Sequence, residues 1–278
     1  MIAPALAPRP RQALGLRLCA LALAGAALLS SCKTTTTVTT SSEAAQASGS
    51  KNEGDPRRRA AVRLQLAAGY YQKRQLDIAI KEATEASQID PNLAPAFGLL
   101  GLIYMGLDQR AQAESNFRHS LQLDPKDPEL NNNFGWFLCR TKRESEALPY
   151  FDQAAGNRMY GTPAMALQNA GICLLQTGDQ GLAEKYLLRA FEADASSPVA
   201  KYHLARLYLD THRLERADFY YELLAKSAEP SAETLWLGAR IAHAKSDAHG
   251  QQRLAQELER RFPNSPEAGR LHREAFNE

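Results

Sequence analysis

Starting near residue 60, the chain repeats one pattern of small, large apolar and polar positions about every 34 residues. Each unit holds two segments with apolar residues at helical spacing, so the pattern predicts two helices per unit. The first helix carries a small residue at Ala67, Gly101, Gly135, Gly171, Ala205 and Ala239. The second helix opens on a small residue at Ala79, Ala113, Ala147, Ala183 and Ala217, with Gln251 in the sixth unit. Because small residues let two helices approach closely, each unit is predicted to be a helical hairpin.

The period predicts six units and an insertion of two residues between the third and the fourth. The units lie at about 60–93, 94–127, 128–161, 164–197, 198–231 and 232–265. Pro91 and Pro125 are predicted to stop second helices, since proline cannot continue one. The side chains predicted to fill the space between helices are Leu66, Leu100, Phe134 and Leu204. One hairpin cannot bury its own apolar face, so neighbouring units are expected to stack.

The second unit carries the clearest form of the motif. It runs from Pro95 to Tyr104 and continues through Ala113, Phe117 and Ser120 to a closing Pro125. The order large, Leu-Gly, Tyr, Ala, Phe, small, Pro resembles the tetratricopeptide (TPR) repeat. The resemblance implies an all-α fold, a right-handed TPR superhelical solenoid of six helical hairpins over residues 57–278, with 266–278 completing the C-terminal cap. It also implies a concave face formed by the first helices.

Residues 1–31 are predicted to be a signal peptide. Arg9, Arg11 and Arg17 give a positive start, and no acidic residue precedes Glu43. The apolar run 18–29 is too short for a membrane span, which needs roughly 20 residues. The segment is therefore expected to direct export and then to be cleaved from the mature protein.

A cysteine follows the apolar run directly. The sequence Leu29-Ser30-Ser31-Cys32 resembles the bacterial lipobox, which implies that Cys32 is acylated and becomes the mature N-terminus. Lys33, rather than Asp, follows it, and by the same resemblance this implies sorting to the outer membrane. The alternative is an ordinary signal peptide with a chance cysteine. Residues 32–56 then form the lipidated Cys and a Thr- and Ser-rich tether, which has too little apolar surface to fold.

Charge limits the classes of partner. The chain has 33 basic and 31 acidic residues, and the mature chain would keep 30 and 31. A nearly neutral protein has no strong electrostatic attraction for nucleic acid. The basic run 57–59 is short and is interpreted as a solvated helix start. No nucleic-acid partner is expected.

Two cysteines remain after Cys19 and Cys32 are assigned to the signal peptide and the lipid. Cys139 and Cys173 fall late on the first helices of units three and four. In an oxidising compartment a disulfide between them is the default expectation. Two separate buried thiols are the alternative.

No catalytic, cofactor or metal site is predicted. The chain lacks Gly-x-Gly-x-x-Gly, Walker and Gly-x-Ser-x-Gly motifs. The histidines lack metal-ligand spacing and are expected at exposed helix positions: His119, His203, His212, His243, His249 and His272. The protein is expected not to be an enzyme and to have no small-molecule substrate.

Four segments together resemble one family. They are 131–139 (Asn-Asn-Asn-Phe-Gly-Trp-Phe-Leu-Cys), 160–173 (Tyr-Gly-Thr-Pro, then Leu-Gln-Asn-Ala-Gly-Ile-Cys), 235–240 and 262–267. With the lipobox and six repeats, they resemble the type IV pilus biogenesis/stability lipoproteins, the pilotins PilF and PilW. The resemblance covers about 60–270, although 157–159 lacks a closing proline.

The resemblance implies a function as an assembly factor. Such a protein is lipid-anchored on the inner leaflet of the outer membrane, faces the periplasm, and helps the type IV pilus secretin to reach that membrane and multimerise. A general outer-membrane TPR lipoprotein adaptor, for β-barrel assembly or cell-wall hydrolases, is the alternative. A secretin segment is expected to bind an apolar groove on the first three repeats, through Leu64, Tyr71, Leu102, Met105, Asn132 and Trp136.

Overall fold

The structure is a computed structural model that describes residues 55–227 and 229–276. The predicted signal peptide, Cys32 and the tether as far as residue 54 lie outside these residues. The described residues form thirteen α-helices and no strand. The helices are α1 Pro56–Gln72, α2 Leu76–Ile89, α3 Ala94–Gly106, α4 Arg110–Leu123, α5 Pro128–Arg140, α6 Glu144–Gly156, α7 Pro163–Thr177, α8 Gln180–Ala193, α9 Pro198–Asp210, α10 Leu214–Ser227, α11 Ala232–Ala244, α12 Ala248–Arg261 and α13 Pro266–His272.

Helices α1 to α12 pair into six hairpins, and each connection contains one residue with positive φ. After α1, the Arg74 N–H donates to the Tyr71 carbonyl and the Gln75 N–H donates to the Tyr70 carbonyl. The positive-φ residue of each connection lies in the left-handed region, which favours glycine. Those residues are Arg74, Asp108, Lys142, Gly178, His212 and Ser246, with φ between 56° and 81°.

Glycines on the first helices make room for large side chains of the second helices. A Cβ atom at Gly101 would lie 2.7 Å from Phe117, and one at Gly135 would lie 2.9 Å from Phe151. Both phenylalanines are fully buried. The two helices of these hairpins can therefore approach closely only because the first helix lacks a side chain at the crossing point.

Successive hairpins stack in chain order. Each first helix contacts the first helix of the next repeat, and each second helix contacts the first helix that follows it. Among the described residues, second helices of different repeats do not contact one another. The first helices thus line the inner side of the solenoid and the second helices its outer side. The fold is the all-α TPR solenoid that the repeat pattern predicts.

The prediction for Leu66 was wrong. Its side chain is 44% exposed, and Val62, one turn earlier on α1, is 50% exposed. At the same repeat position, Leu100 and Phe134 are buried because the second helix of the preceding repeat covers them. No described element precedes α1, so the stacking face of the first repeat stays uncovered in the described part of the chain.

Candidate partner-binding groove

Four of the six predicted groove residues lie where a partner could reach them. Leu64 and Tyr71 on α1, Leu102 on α3 and Trp136 on α5 are each half-buried. Leu64 and Tyr71 pack against the core of the first two repeats, and Leu102 and Trp136 pack against the central core. Each of these side chains packs on the core along one edge and leaves its other edge accessible. The four residues form the apolar inner face of repeats one to three.

Met105 and Asn132 differ from the expectation because both are buried between repeats. Met105 is 8% exposed and packs into the central core. Asn132 is 3% exposed, and its Oδ1 accepts a hydrogen bond of 2.9 Å from Asn169 Nδ2 on the next first helix. An amide engaged in this way holds two repeats together and is not available to a ligand. Inner-face positions that touch the next repeat look like groove positions in the sequence.

Tyr71 adds a polar edge to this apolar surface. Burial raises the pKa of its hydroxyl above the ordinary tyrosine value, although the positive charge of Arg74 acts in the opposite direction. The group therefore keeps its proton throughout the physiological range. It combines an apolar ring with a hydrogen-bonding tip, as aromatic side chains at interfaces often do.

Cys139 and Cys173 are joined by a disulfide in the structure. Their Cα atoms are 5.7 Å apart, and both residues are buried. Cys139 is near the end of α5 and Cys173 is in the last third of α7, so the bond links the first helices of repeats three and four. It lies beside the Asn169–Asn132 hydrogen bond and spans the point of the two-residue insertion. The groove floor is thus cross-linked next to Trp136.

The inner face changes from apolar to charged towards its C-terminal end. The repeat position that holds Leu102 and Trp136 holds Arg206 on α9 and Arg240 on α11. Asp210 lies between them, with 3.6 Å from its Oδ2 to Arg206 Nε and 3.4 Å from its Oδ1 to Arg240 Nη2. The apolar half of the groove therefore ends before repeat five. This boundary was not predicted from the sequence, although the repeat phase places both arginines at the position of Leu102 and Trp136.

Partly buried ion pairs between repeats recur at one position. Arg143 Nη1 lies 2.9 Å from Glu114, and its counterpart Arg213 lies 2.8 Å from Glu184. Burial alone would raise the pKa of Glu184, but hydrogen bonds from Arg213 and Tyr208 outweigh it and hold that pKa below the ordinary value. Both carboxylates are therefore engaged in ion pairs that join neighbouring repeats. The described residues contain no group of three or more side chains suited to hold a metal ion.

The expectation that the histidines are exposed was wrong for two of them, His119 and His203, which are half-buried. His212, His243, His249 and His272 are exposed, whereas the Nδ1 atom of His203 on α9 is buried and has no hydrogen-bond partner among the described residues. No described helix is both long enough and apolar enough to cross a membrane.

The fold and this inner face define a class, the TPR scaffolds, whose stacked repeats offer an extended binding surface. A model of the tetratricopeptide repeat matches residues 94–127 and 165–197.

Comparison with known proteins narrows the class to a family. The chain is 34% identical to a crystal structure of PilW, described as a widely conserved type IV pilus biogenesis factor, with 76% of this chain and 97% of that chain covered and a TM-score of 0.71. It is 25% identical to the structure of PilF from Pseudomonas aeruginosa, with 79% and 99% covered and a TM-score of 0.70. In sequence it is 26% identical over 204 residues to the type IV pilus assembly protein PilF of that organism, which covers 73% of this chain and 81% of the relative. The chain belongs to the PilF/PilW family of type IV pilus biogenesis TPR proteins.

Proposed function

We propose that the protein is a non-enzymatic scaffold that binds the type IV pilus secretin and promotes its outer-membrane targeting and multimerisation. The observation that carries the proposal is the apolar inner face of repeats one to three in a member of a pilus biogenesis family. Apolar pockets with a few polar edges suit an extended or helical peptide. A segment of the secretin would bind there.

We further propose that lipid on Cys32 anchors the protein to the inner leaflet of the outer membrane, with the repeats in the periplasm. The 24 residues from 33 to 56 would reach roughly 25–30 Å as a coil and at most about 80 Å when extended. Three acyl chains would exceed the two-signal requirement for stable anchoring. The tether would let the repeats meet a partner away from the lipid surface.

The first test follows the secretin in cells. Envelope fractions of the wild type, a deletion strain and a Cys32→Ala strain are compared by gel for heat- and detergent-resistant secretin multimers. Loss of multimers on deletion while the secretin monomer persists is the expected result. Multimers stranded in the inner membrane in the Cys32→Ala strain would support transport through the lipid. Normal outer-membrane multimers in all three strains would contradict the proposal and favour a general TPR adaptor.

The second test addresses the groove. Leu64→Glu, Leu102→Glu and Trp136→Ala are combined, and binding of purified secretin is measured by pull-down. We expect binding to be lost, because the variant puts charge and a void into the apolar face. The matched control is Phe219→Glu with Met159→Glu, since these apolar side chains are 55% and 90% exposed and lie outside the inner face. Retained binding by a triple variant with an unchanged melting temperature would refute the site.

The state of the cysteine pair in cells is part of the same proposal. A periplasmic protein would carry the Cys139–Cys173 bond, since disulfides persist in oxidising compartments. Mass spectrometry of unreduced peptides from the membrane fraction tests it. Free thiols at both positions would contradict the periplasmic location.

A further inference from the structure

The inner edge of each first helix is a seam on which the next first helix packs. On α5 the seam is made by Asn132, Trp136 and Cys139. Two of these residues engage α7, through the hydrogen bond to Asn169 and the disulfide to Cys173. The seam is therefore the surface by which one repeat recognises its neighbour.

The sixth repeat has the same seam, and no complete seventh repeat covers it among the described residues. On α11 the three equivalent positions carry Trp236, Arg240 and His243. The element that follows, α13, has seven residues, about half the length of the other first helices. It packs on α11 and α12 and leaves part of the seam to be covered by the chain beyond it.

The chain after α13 turns back in the way that five of the six first helices end. Glu274 has a φ of 54°, its N–H donates to the Leu271 carbonyl, and the Ala275 N–H donates to the Arg270 carbonyl. The same pair of hydrogen bonds follows α1, α3, α5, α9 and α11. Here the turn delivers Phe276 to the seam, so one aromatic residue stands where a neighbouring helix would pack.

Phe276 contacts all three seam residues, two through its ring and the third through its main-chain carbonyl. Its ring stacks on Trp236 with centroids 5.2 Å apart and on His243 with centroids 4.5 Å apart. Its main-chain carbonyl accepts a hydrogen bond of 3.0 Å from Arg240 Nε. Asp210 pairs with the same guanidinium from the neighbouring first helix. The contact leaves Phe276 9% exposed and Trp236 5% exposed.

We infer that the seam of α11 is a peptide-binding subsite for an aromatic residue, and that residues 274–276 are its intramolecular ligand. The aromatic ring enters between Trp236 and His243, and the carbonyl of the same residue accepts from Arg240. Beside it lies a cavity of about 390 Å³, lined by His243, Gln251, Leu271, Glu274 and Phe276. The cavity offers space for residues that flank the aromatic anchor. A protein segment with such an anchor would compete with the tail, and this does not depend on which partner the apolar groove binds.

The test uses Trp236 as a reporter of its own site. The chain has two tryptophans, so Trp136→Phe leaves Trp236 as the single fluorophore. In that background, Phe276→Ala and a chain that ends at Arg273 should both expose the indole. We expect its emission to shift to longer wavelength and acrylamide quenching to rise at least twofold. The matched control is Phe219→Ala, which removes an aromatic ring that is 55% exposed and lies outside the cluster around Trp236.

The binding step is tested in trans with a synthetic peptide of residues 270–278. Added to the shortened chain, the peptide should restore the shielded emission of Trp236 saturably, in the roughly millimolar range that a short tether normally supplies as effective concentration. A peptide with Ala in place of Phe276 should have no effect, and neither peptide should act on the intact chain. If the shortened chain loses helix content, the titration is made with Phe276→Ala, which keeps α13. Failure of the Phe-containing peptide to act on a folded variant overturns the inference, as does a Trp236 that stays shielded without Phe276.

Discussion

His203 shows how the environment of one residue on a first helix can be set by its neighbours. Its ring packs edge-on against Tyr202, with centroids 5.2 Å apart. Burial, together with the nearby charge of Arg206, lowers the pKa of His203 to about 4. The folded protein therefore holds this histidine neutral, whereas the unfolded chain protonates it near pH 6.5. Between these two pKa values, protonation of His203 therefore favours the unfolded chain over the folded one.

A pH-dependent stability follows from this residue. The pKa is depressed in the fold, so its contribution is present above pH 6.5 and is lost as the pH falls towards 4. The free energy of unfolding should fall by up to about 1.4 kcal/mol per pH unit in that window from this group alone. His203→Gln should flatten the profile measured by urea unfolding between pH 7 and 4.5. The exposed His249→Gln serves as the control, and equal profiles for wild type and His203→Gln would contradict the prediction.

Within a hairpin, replacing glycine with alanine is predicted to raise or lower stability, depending on what the added methyl group would contact. Gly135→Ala would put a Cβ atom 2.9 Å from Phe151, so the tightly packed ring must shift, at a cost of about 1–3 kcal/mol. Gly69 on α1 has no such neighbour within 4 Å. Gly69→Ala should therefore stabilise the helix by up to about 1 kcal/mol. Thermal unfolding followed by circular dichroism checks both variants, and a stabilising Gly135→Ala would refute the packing argument.

The disulfide acts between hairpins. Cys139 and Cys173 are 34 residues apart in sequence, so the bond restricts a long loop in the unfolded chain. Replacing both with Ser should lower the free energy of unfolding by about 3–4 kcal/mol. The measurement is a denaturant titration, and a reductant should move the wild type to the midpoint of the double variant. A reductant that changes the wild type and the double variant equally would contradict this.

The sequence could predict the hairpins because each repeat carries its own local information. Small residues such as Gly101 and Gly135 recur in phase, and their role depends only on the partner helix of the same repeat. Burial at the inner face was not predictable in this way. Whether Asn132 faces a ligand or a neighbouring helix is decided by Asn169 in the next repeat. Leu66 was misplaced for a related reason, because its cover would come from a preceding repeat.

At the scale of the whole molecule, stability is expected to be distributed along the stack. Each hairpin of the described chain contacts only its neighbours in sequence, and such arrays behave as a sum of repeat and interface contributions. The disulfide strengthens one interface, between repeats three and four. The C-terminal repeats have no such bond, and their end is closed by α13 and Phe276. We therefore expect the two ends of the array to unfold separately.

The two tryptophans allow this separation to be measured. Trp136 lies in repeat three beside the disulfide, and Trp236 lies in repeat six. Leu258→Ala, at a fully buried position on α12 that packs in the Trp236 cluster, should cost about 2–5 kcal/mol. Because the coupling is between neighbours, the loss should appear first at the C-terminal end.

In single-tryptophan backgrounds, Trp136→Phe and Trp236→Phe, urea unfolding is followed by fluorescence with and without Leu258→Ala. The Trp236 transition should move to a lower urea concentration, while the Trp136 transition should change little. The control is Phe151→Leu, a buried change in repeat three, which should move the Trp136 transition instead. If Leu258→Ala moves both transitions by the same amount, the repeats unfold as one cooperative unit. In that event the Cys139–Cys173 bond would stabilise the whole array, and closing the C-terminal seam with Phe276 would stabilise the distant groove as well.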